Sequence, residues 1–137
     1  KWNPTINLVS RRDESALWDR HILGSLALIQ ALPDAPTHAI DFGTGGGFPG
    51  LILAIATGIP YDLVESDHRK AAFLREAARE TAAPARVIAE RIEEAALPPA
   101  PLVTARAVVN ATGAWSIGDS EADGCARSPS TWLPSQT

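Results

Sequence analysis

Asp41-Phe42-Gly43-Thr44-Gly45-Gly46-Gly47-Phe48-Pro49-Gly50 is the stretch on which the fold turns. His38, Ala39 and Ile40 lead into it as a short apolar strand, and Leu51-Ile52-Leu53-Ala54-Ile55-Ala56 leaves it as a buried helix starting near Pro49. A strand that stops at glycines and turns into a helix builds a ligand site at the edge of an α/β sheet. Gly43, Gly45 and Gly47 can take backbone angles closed to other residues, and they leave no Cβ between chain and ligand. Pro49 suits a first helical position, where its missing N–H has no partner to lose.

Working outward toward the C-terminus, Gly58 and Pro60 close the first helix. Tyr61-Asp62-Leu63-Val64-Glu65 reads as a second strand ending on an acid. Ser66 is placed to cap a helix over 67–82, which Pro84 terminates. Residues 86–89 form a third short strand and 102–105 a fourth. Strand and helix alternate, which predicts an α/β fold: a parallel sheet with helices on both faces. Working back toward the N-terminus, Asp13 is placed to cap a helix running to Leu32, with Leu17, Trp18, Ile22, Leu26, Ile29 and Leu32 at the helical period. Residues 1–12 read as an irregular lead-in, because Pro4 argues against helix there; Trp2, Ile6 and Leu8 are placed to pack on the domain. From about Val108 the texture changes. Gly, Ser, Pro and acids surround Trp115 and Trp132 with no persistent apolar period, which predicts an irregular or disordered tail over 108–137.

The 137 residues suffice for one domain. Hydrophobic content of 45% and charged content of 20% are those of a globular protein. A net charge of −4 exerts no general pull on nucleic acid or an anionic membrane, so any RNA contact needs a local basic patch. The segment 67–91 offers one, with six basic and four acidic side chains. The single Cys125 excludes an internal disulfide and fits a reducing, cytoplasmic compartment. No apolar run approaches the roughly 20 residues that span a bilayer, and no signal pattern is present at the start. The chain opens on Lys1, which points to a preceding segment. His21, His38 and His68 lie on separate elements without ligand spacing, so no metal site is expected.

Two ligands suit the glycine loop. Gly45-Gly46-Gly47-Phe48-Pro49-Gly50 matches G-x-G-x-x-G, and Glu65 follows Gly45 by 20 residues, as the ribose-binding acid of a dinucleotide site would. Asp41-x-Gly43-x-Gly45-x-Gly47 suits S-adenosylmethionine instead. Charge separates the two: a pyrophosphate is repelled by Asp41 at the mouth of the turn, whereas a ligand carrying ammonium and sulfonium is not. Glu65 serves either, since both ligands carry a ribose diol. Its plainer role is a solvated strand end, and that of Asp41 is a cap on loop amides.

Three blocks come in order along the chain: Lys1-Trp2-Asn3-Pro4-Thr5-Ile6-Asn7-Leu8, then Arg20-His21-Ile22-Leu23-Gly24-Ser25-Leu26, then Asp41 to Gly50. Lys70 with Phe73-Leu74-Arg75, Arg91-Ile92-Glu93-Glu94 and Thr104-Ala105-Arg106-Ala107 follow. Together they resemble the RsmG (glucose-inhibited division protein B) family of 16S ribosomal RNA methyltransferases, over residues 1 to about 107. The resemblance implies a Rossmann-like class I methyltransferase domain over 1–107, its sheet incomplete at the C-terminal end, followed by the tail. It implies S-adenosylmethionine as cofactor and guanine N7 of 16S rRNA, naked or in the small subunit, as the methyl acceptor. Carried over by position, Gly43 and Phe48 line the cofactor pocket, alongside the motif's Asp41, Gly45 and Gly47. Glu65 holds the ribose, Ile92 and Glu93 flank the adenine, and Arg106 stands at the far side. Arg20, Lys70 and Arg75 meet RNA; no membrane or DNA partner is implied. Gly24 departs from the family, which usually has Asp there, and beyond Ala107 the motifs stop. Guanine N7 carries an exposed lone pair and no proton, so no general base is expected; His21 and Arg106 are positioning candidates only. The competing expectations are a nicotinamide-dependent oxidoreductase using Gly45–Gly50 and a nucleotide-binding module without catalysis.

Overall fold

The structure, a computed structural model, describes residues 2–106 and the short strands of the following segment, β5 (Val109–Asn110) and β6 (Gly113–Ala114), which pair antiparallel. The rest of the tail expected over 108–137 lies outside the described residues.

Four parallel strands form the sheet: β1 (Ala39–Phe42), β2 (Tyr61–Val64), β3 (Ala85–Ile88) and β4 (Leu102–Ala105), in the order β3-β2-β1-β4. Their registers coincide. Phe42 stands opposite Val64 on one side and Ala105 on the other, and Val64 opposite Ile88. All four strands therefore stop at one line, and the residues that follow them emerge together on the carboxyl edge.

The two long helices, α3 (Gly50–Thr57) and α4 (His68–Thr81), pack on the sheet face that carries Ala39, Tyr61 and Leu63, where Leu51, Leu53, Ala54, Leu74 and Ala78 complete a buried core. Ile40 and Val64 point to the opposite face, which the β3–β4 connection covers with Ala95, Leu97 and Ala100. The alternation along each strand decides which face a side chain joins. Toward the amino end of the sheet the buried Asp62 accepts two bonds from Arg86, Nε to Oδ1 and Nη2 to Oδ2, both at 2.7 Å, and meets His38 Nε2 at 3.1 Å. One acid thereby ties β2 to β3 and to the residue preceding β1.

Several local expectations are corrected. The long helix from Asp13 to Leu32 is not continuous: residues 11–16 are turns, and α2 follows in three pieces, wide i→i+5 turns over Leu17–Leu23, an α turn over Gly24–Ala27 and tight 3-10 turns over Leu28–Ala31. Asp13 does not cap it, because its carboxylate is taken by the Ser10 hydroxyl (2.6 Å) and the Arg20 guanidinium. The lead-in is not wholly irregular. Asn3–Ile6 forms a single helical turn, α1, and Pro4 is tolerated there because it falls in the first turn, where no N–H is needed. Helix α4 is capped by Asp67, not Ser66: Asp67 Oδ1 accepts from the Arg69 and Lys70 amides. Pro49 is the residue before the first turn of α3, which begins at Gly50. Trp2 packs edge-on against Phe73 of α4 at 5.9 Å, and Ile6 is buried, so the start of the chain is anchored on the domain.

Candidate functional site

The site is built at the carboxyl edge. The Gly43 amide donates to the Val64 carbonyl at 2.9 Å, which turns the chain out of β1 while holding it against β2. Gly43, Gly45 and Gly47 have φ of 61°, 57° and 93°, in the left-handed region where a side chain is strained. At Gly47 a Cβ would also meet Leu51 Cβ at 2.8 Å, so the loop packs down on α3 only as glycine.

Two carboxylates hold this loop. Asp41 is fully buried; its Oδ2 accepts the Gly50 amide at 3.0 Å and its Oδ1 the Thr104 hydroxyl at 2.7 Å. Burial pushes its carboxyl up to about 6, partly opposed by these hydrogen bonds. A Cβ on Gly50 would stand 2.5 Å from Asp41 Cβ, so the contact needs glycine there. Asp41 was expected among the cofactor contacts, but with no exposed surface it acts from behind the loop, pinning the start of α3 to β1 and β4. Glu65, at the tip of β2 and 8% exposed, accepts the Gly45 amide through Oε2 and the Asp67 amide through Oε1, both at 2.9 Å. Each of its oxygens keeps a second acceptor position.

Around this centre the other expected residues fall into three places. The Phe48 ring lies 5.1 Å from that of His21, so α2 closes one side of the glycine loop. His21 Nε2 is 3.8 Å from Asp13 Oδ2. Arg106, just past β4, reaches back over α2 and donates from Nη2 to the Arg20 carbonyl at 3.0 Å. Gly24 lies beside it: a Cβ there would sit 3.7 Å from the guanidinium, in ordinary contact. His21, Phe48, Arg20, Gly24 and Arg106 thus meet on one side. On the other side a cleft of about 420 Å³ opens beyond the tips of β2 and β3, lined by residues 66–68, Ala89, Glu90, Arg91 and Glu94. Ile92 and Glu93 lie exposed on the turn that bounds it. Lys70 and Arg75 stand apart from Arg20 on α4, Lys70 half-buried and Arg75 exposed.

Sequence reasoning missed Thr104 as a partner of Asp41 and Asp67 as the helix cap. The first could be found only with the strand register, which sets Asp41 opposite Thr104 across 63 residues of chain.

A parallel sheet with a glycine loop after its first strand, an acid at the tip of its second and a cleft beyond the tips of its second and third is the architecture of the Rossmann-like methyltransferase class. The family model described as rRNA small subunit methyltransferase G (GidB) matches residues 1–119, and the chain belongs to that family. It is 58% identical over 108 residues to a protein named "Ribosomal RNA small subunit methyltransferase G" from Gluconobacter oxydans, covering 79% of this chain and 55% of the relative. The relative of the same name from Granulibacter bethesdensis is 56% identical over 108 residues, covering 79% of this chain and 51% of its own. The chain therefore spans about half the length of the curated relatives it matches. Among solved structures, a dimethyladenosine transferase from Plasmodium falciparum superposes with a TM-score of 0.49 at 12% identity, over 64% of this chain and 32% of that one. The family membership favours the methyltransferase expectation over the nicotinamide one. Among the described residues no helix is long and apolar enough to cross a membrane.

Proposed function

We propose that this chain carries the S-adenosylmethionine-binding half of a methyltransferase acting on guanine N7 of 16S ribosomal RNA in the cytoplasm. One observation carries the choice of ligand. In a dinucleotide site the first amides of the glycine loop and of the helix meet a pyrophosphate. Here the Gly50 amide already donates to Asp41 and the Gly45 amide to Glu65. Two carboxylates stand behind the positions an anion would need, and they favour a cationic ligand.

The residues then take the following roles. Glu65 receives the two ribose hydroxyls on the acceptor positions left free by Gly45 and Asp67. Gly43, Gly45 and Gly47 let the ligand lie against bare backbone, and Phe48 packs along it. Ile92 and Glu93 flank the adenine beside the cleft, and Arg106 bounds the far side. Asp41 acts indirectly by fixing the loop. Bound S-adenosylmethionine supplies a methyl group on a sulfonium, which an N7 lone pair attacks without a base. The protein's work is alignment and exclusion of water, with His21 and Arg106 at the mouth and Arg20, Lys70 and Arg75 toward the RNA.

Calorimetric titration with S-adenosylhomocysteine tests the assignment of Glu65. Glu65→Ala weakens binding severalfold, by about 1–2 kcal/mol for a charge-assisted pair of hydrogen bonds, while the circular dichroism spectrum is kept. Unchanged affinity in a folded variant refutes the role.

A further inference from the structure

Arg106 follows β4, the edge strand beside β1, while the other cofactor-side candidates follow β1, β2 and β3. Its guanidinium must nevertheless lie at a fixed distance from the glycine loop to bound the same ligand. The backbone ladder between β1 and β4 ends at Phe42 and Ala105, one residue short of Arg106. Within that ladder, at the pair Asp41 and Thr104, a side-chain bond also joins β4 to the loop's own anchor, Thr104 Oγ1 to Asp41 Oδ1 at 2.7 Å. Asp41 in turn holds the first amide of α3. The chain of contacts runs Gly50 amide, Asp41, Thr104, Ala105, Arg106, Arg20 carbonyl, and it closes α2 over the loop.

We propose that Thr104 is a positioning residue whose hydroxyl, held by Asp41, sets Arg106 against the glycine loop and so tunes cofactor binding through Arg106. A buried hydroxyl on an ionised acceptor gives directional restraint that an apolar side chain of equal size does not. Thr104 touches no ligand position itself, so its effect passes wholly through its neighbours. The consequence for affinity rests on the cofactor reading above; the placement of Arg106 does not.

Two measurements on the whole chain test this. Without ligand, the NMR signal of the Arg106 guanidinium, assigned by its loss in Arg106→Ala, shifts toward a free, fast-exchanging arginine in Thr104→Val and stays in place in Thr104→Ser. With ligand, Thr104→Val weakens S-adenosylhomocysteine binding on the order of fivefold, Thr104→Ser restores it, and Thr104→Val adds nothing once Arg106 is Ala. Thr104→Ala serves in the same cycle if Thr104→Val does not fold. An unmoved guanidinium signal overturns the proposal, as do losses that multiply in the double variant or a serine variant as weak as the valine one. Failure of the parent chain to bind S-adenosylhomocysteine overturns the cofactor reading and the affinity effect with it, and the ligand-free signal then decides the placement alone.

Discussion

Replacing Gly50 by alanine puts one methyl group into the most crowded point of the fold. The new Cβ would stand 2.5 Å from Asp41 Cβ, 2.6 Å from Asp41 Oδ2 and 2.7 Å from Leu63 Cδ2. Asp41 and Leu63 are fully buried on adjacent central strands, so neither can swing away. Relief requires α3 to lift off the sheet, which also breaks the 3.0 Å bond from the Gly50 amide to Asp41. Overpacking costs about 1–3 kcal/mol and loss of a hydrogen bond to a carboxylate about 1.5–3, giving roughly 3–4 kcal/mol once their overlap is allowed for. Gly58→Ala is the control. A Cβ there meets nothing within 4 Å, and only its φ of 74° is strained, for about 1 kcal/mol. Urea unfolding followed by circular dichroism compares the two. If Gly50→Ala costs no more than Gly58→Ala, the packing of α3 on Asp41 described here is wrong.

Other outcomes follow from the same contacts. Asp41 has a folded pKa of about 6, above its ordinary 3.8, so the folded state takes up this proton first. Stability from this group therefore rises as pH falls from about 6 to about 4, on the order of 2–3 kcal/mol, and the rise is absent in Asp41→Asn; urea midpoints across that range check it. Asp62 behaves oppositely. Burial pushes its carboxyl up, but the hydrogen bonds and charge of Arg86, with His38, bring it below 3.8, so its contribution is present above that value and lost as pH falls further. Arg86→Ala strips Asp62 of two bonds and costs about 1–2 kcal/mol in thermal or urea unfolding, less than a fully buried pair because the Arg86 side chain is 64% exposed.

The sheet was legible because each strand carries its own local signal. Ala39–Phe42 and Leu102–Ala105 fall where apolar runs meet turn residues; the bounds of the second match the sequence reading to the residue, and the first runs two residues further into the glycine stretch than Ile40. Helices α3 and α4 are read to within a residue or two, since Gly58 and Pro84 stop the chain whatever its surroundings. The first helix was misread because its apolar period is real but its cap is not free: Asp13 binds Ser10 and Arg20, a choice made between side chains that periodicity does not register. The same limit applied at the site. Glu65 stands at the strand end where the sequence put it, and of the two roles read for Asp41, ligand contact and cap on loop amides, its inward-facing carboxylate takes the second. Which way it points depends on Thr104 and Gly50, and only the folded register brings Thr104 near.

The account stands on the claim that acids at neighbouring strand tips prepare this edge for a cationic adenosyl ligand. Titrating the purified chain in parallel with S-adenosylmethionine and with a nicotinamide dinucleotide tests it most directly. Saturable heat with the first and none with the second is the predicted result; tight binding of the dinucleotide with no response to the adenosyl compound would contradict it.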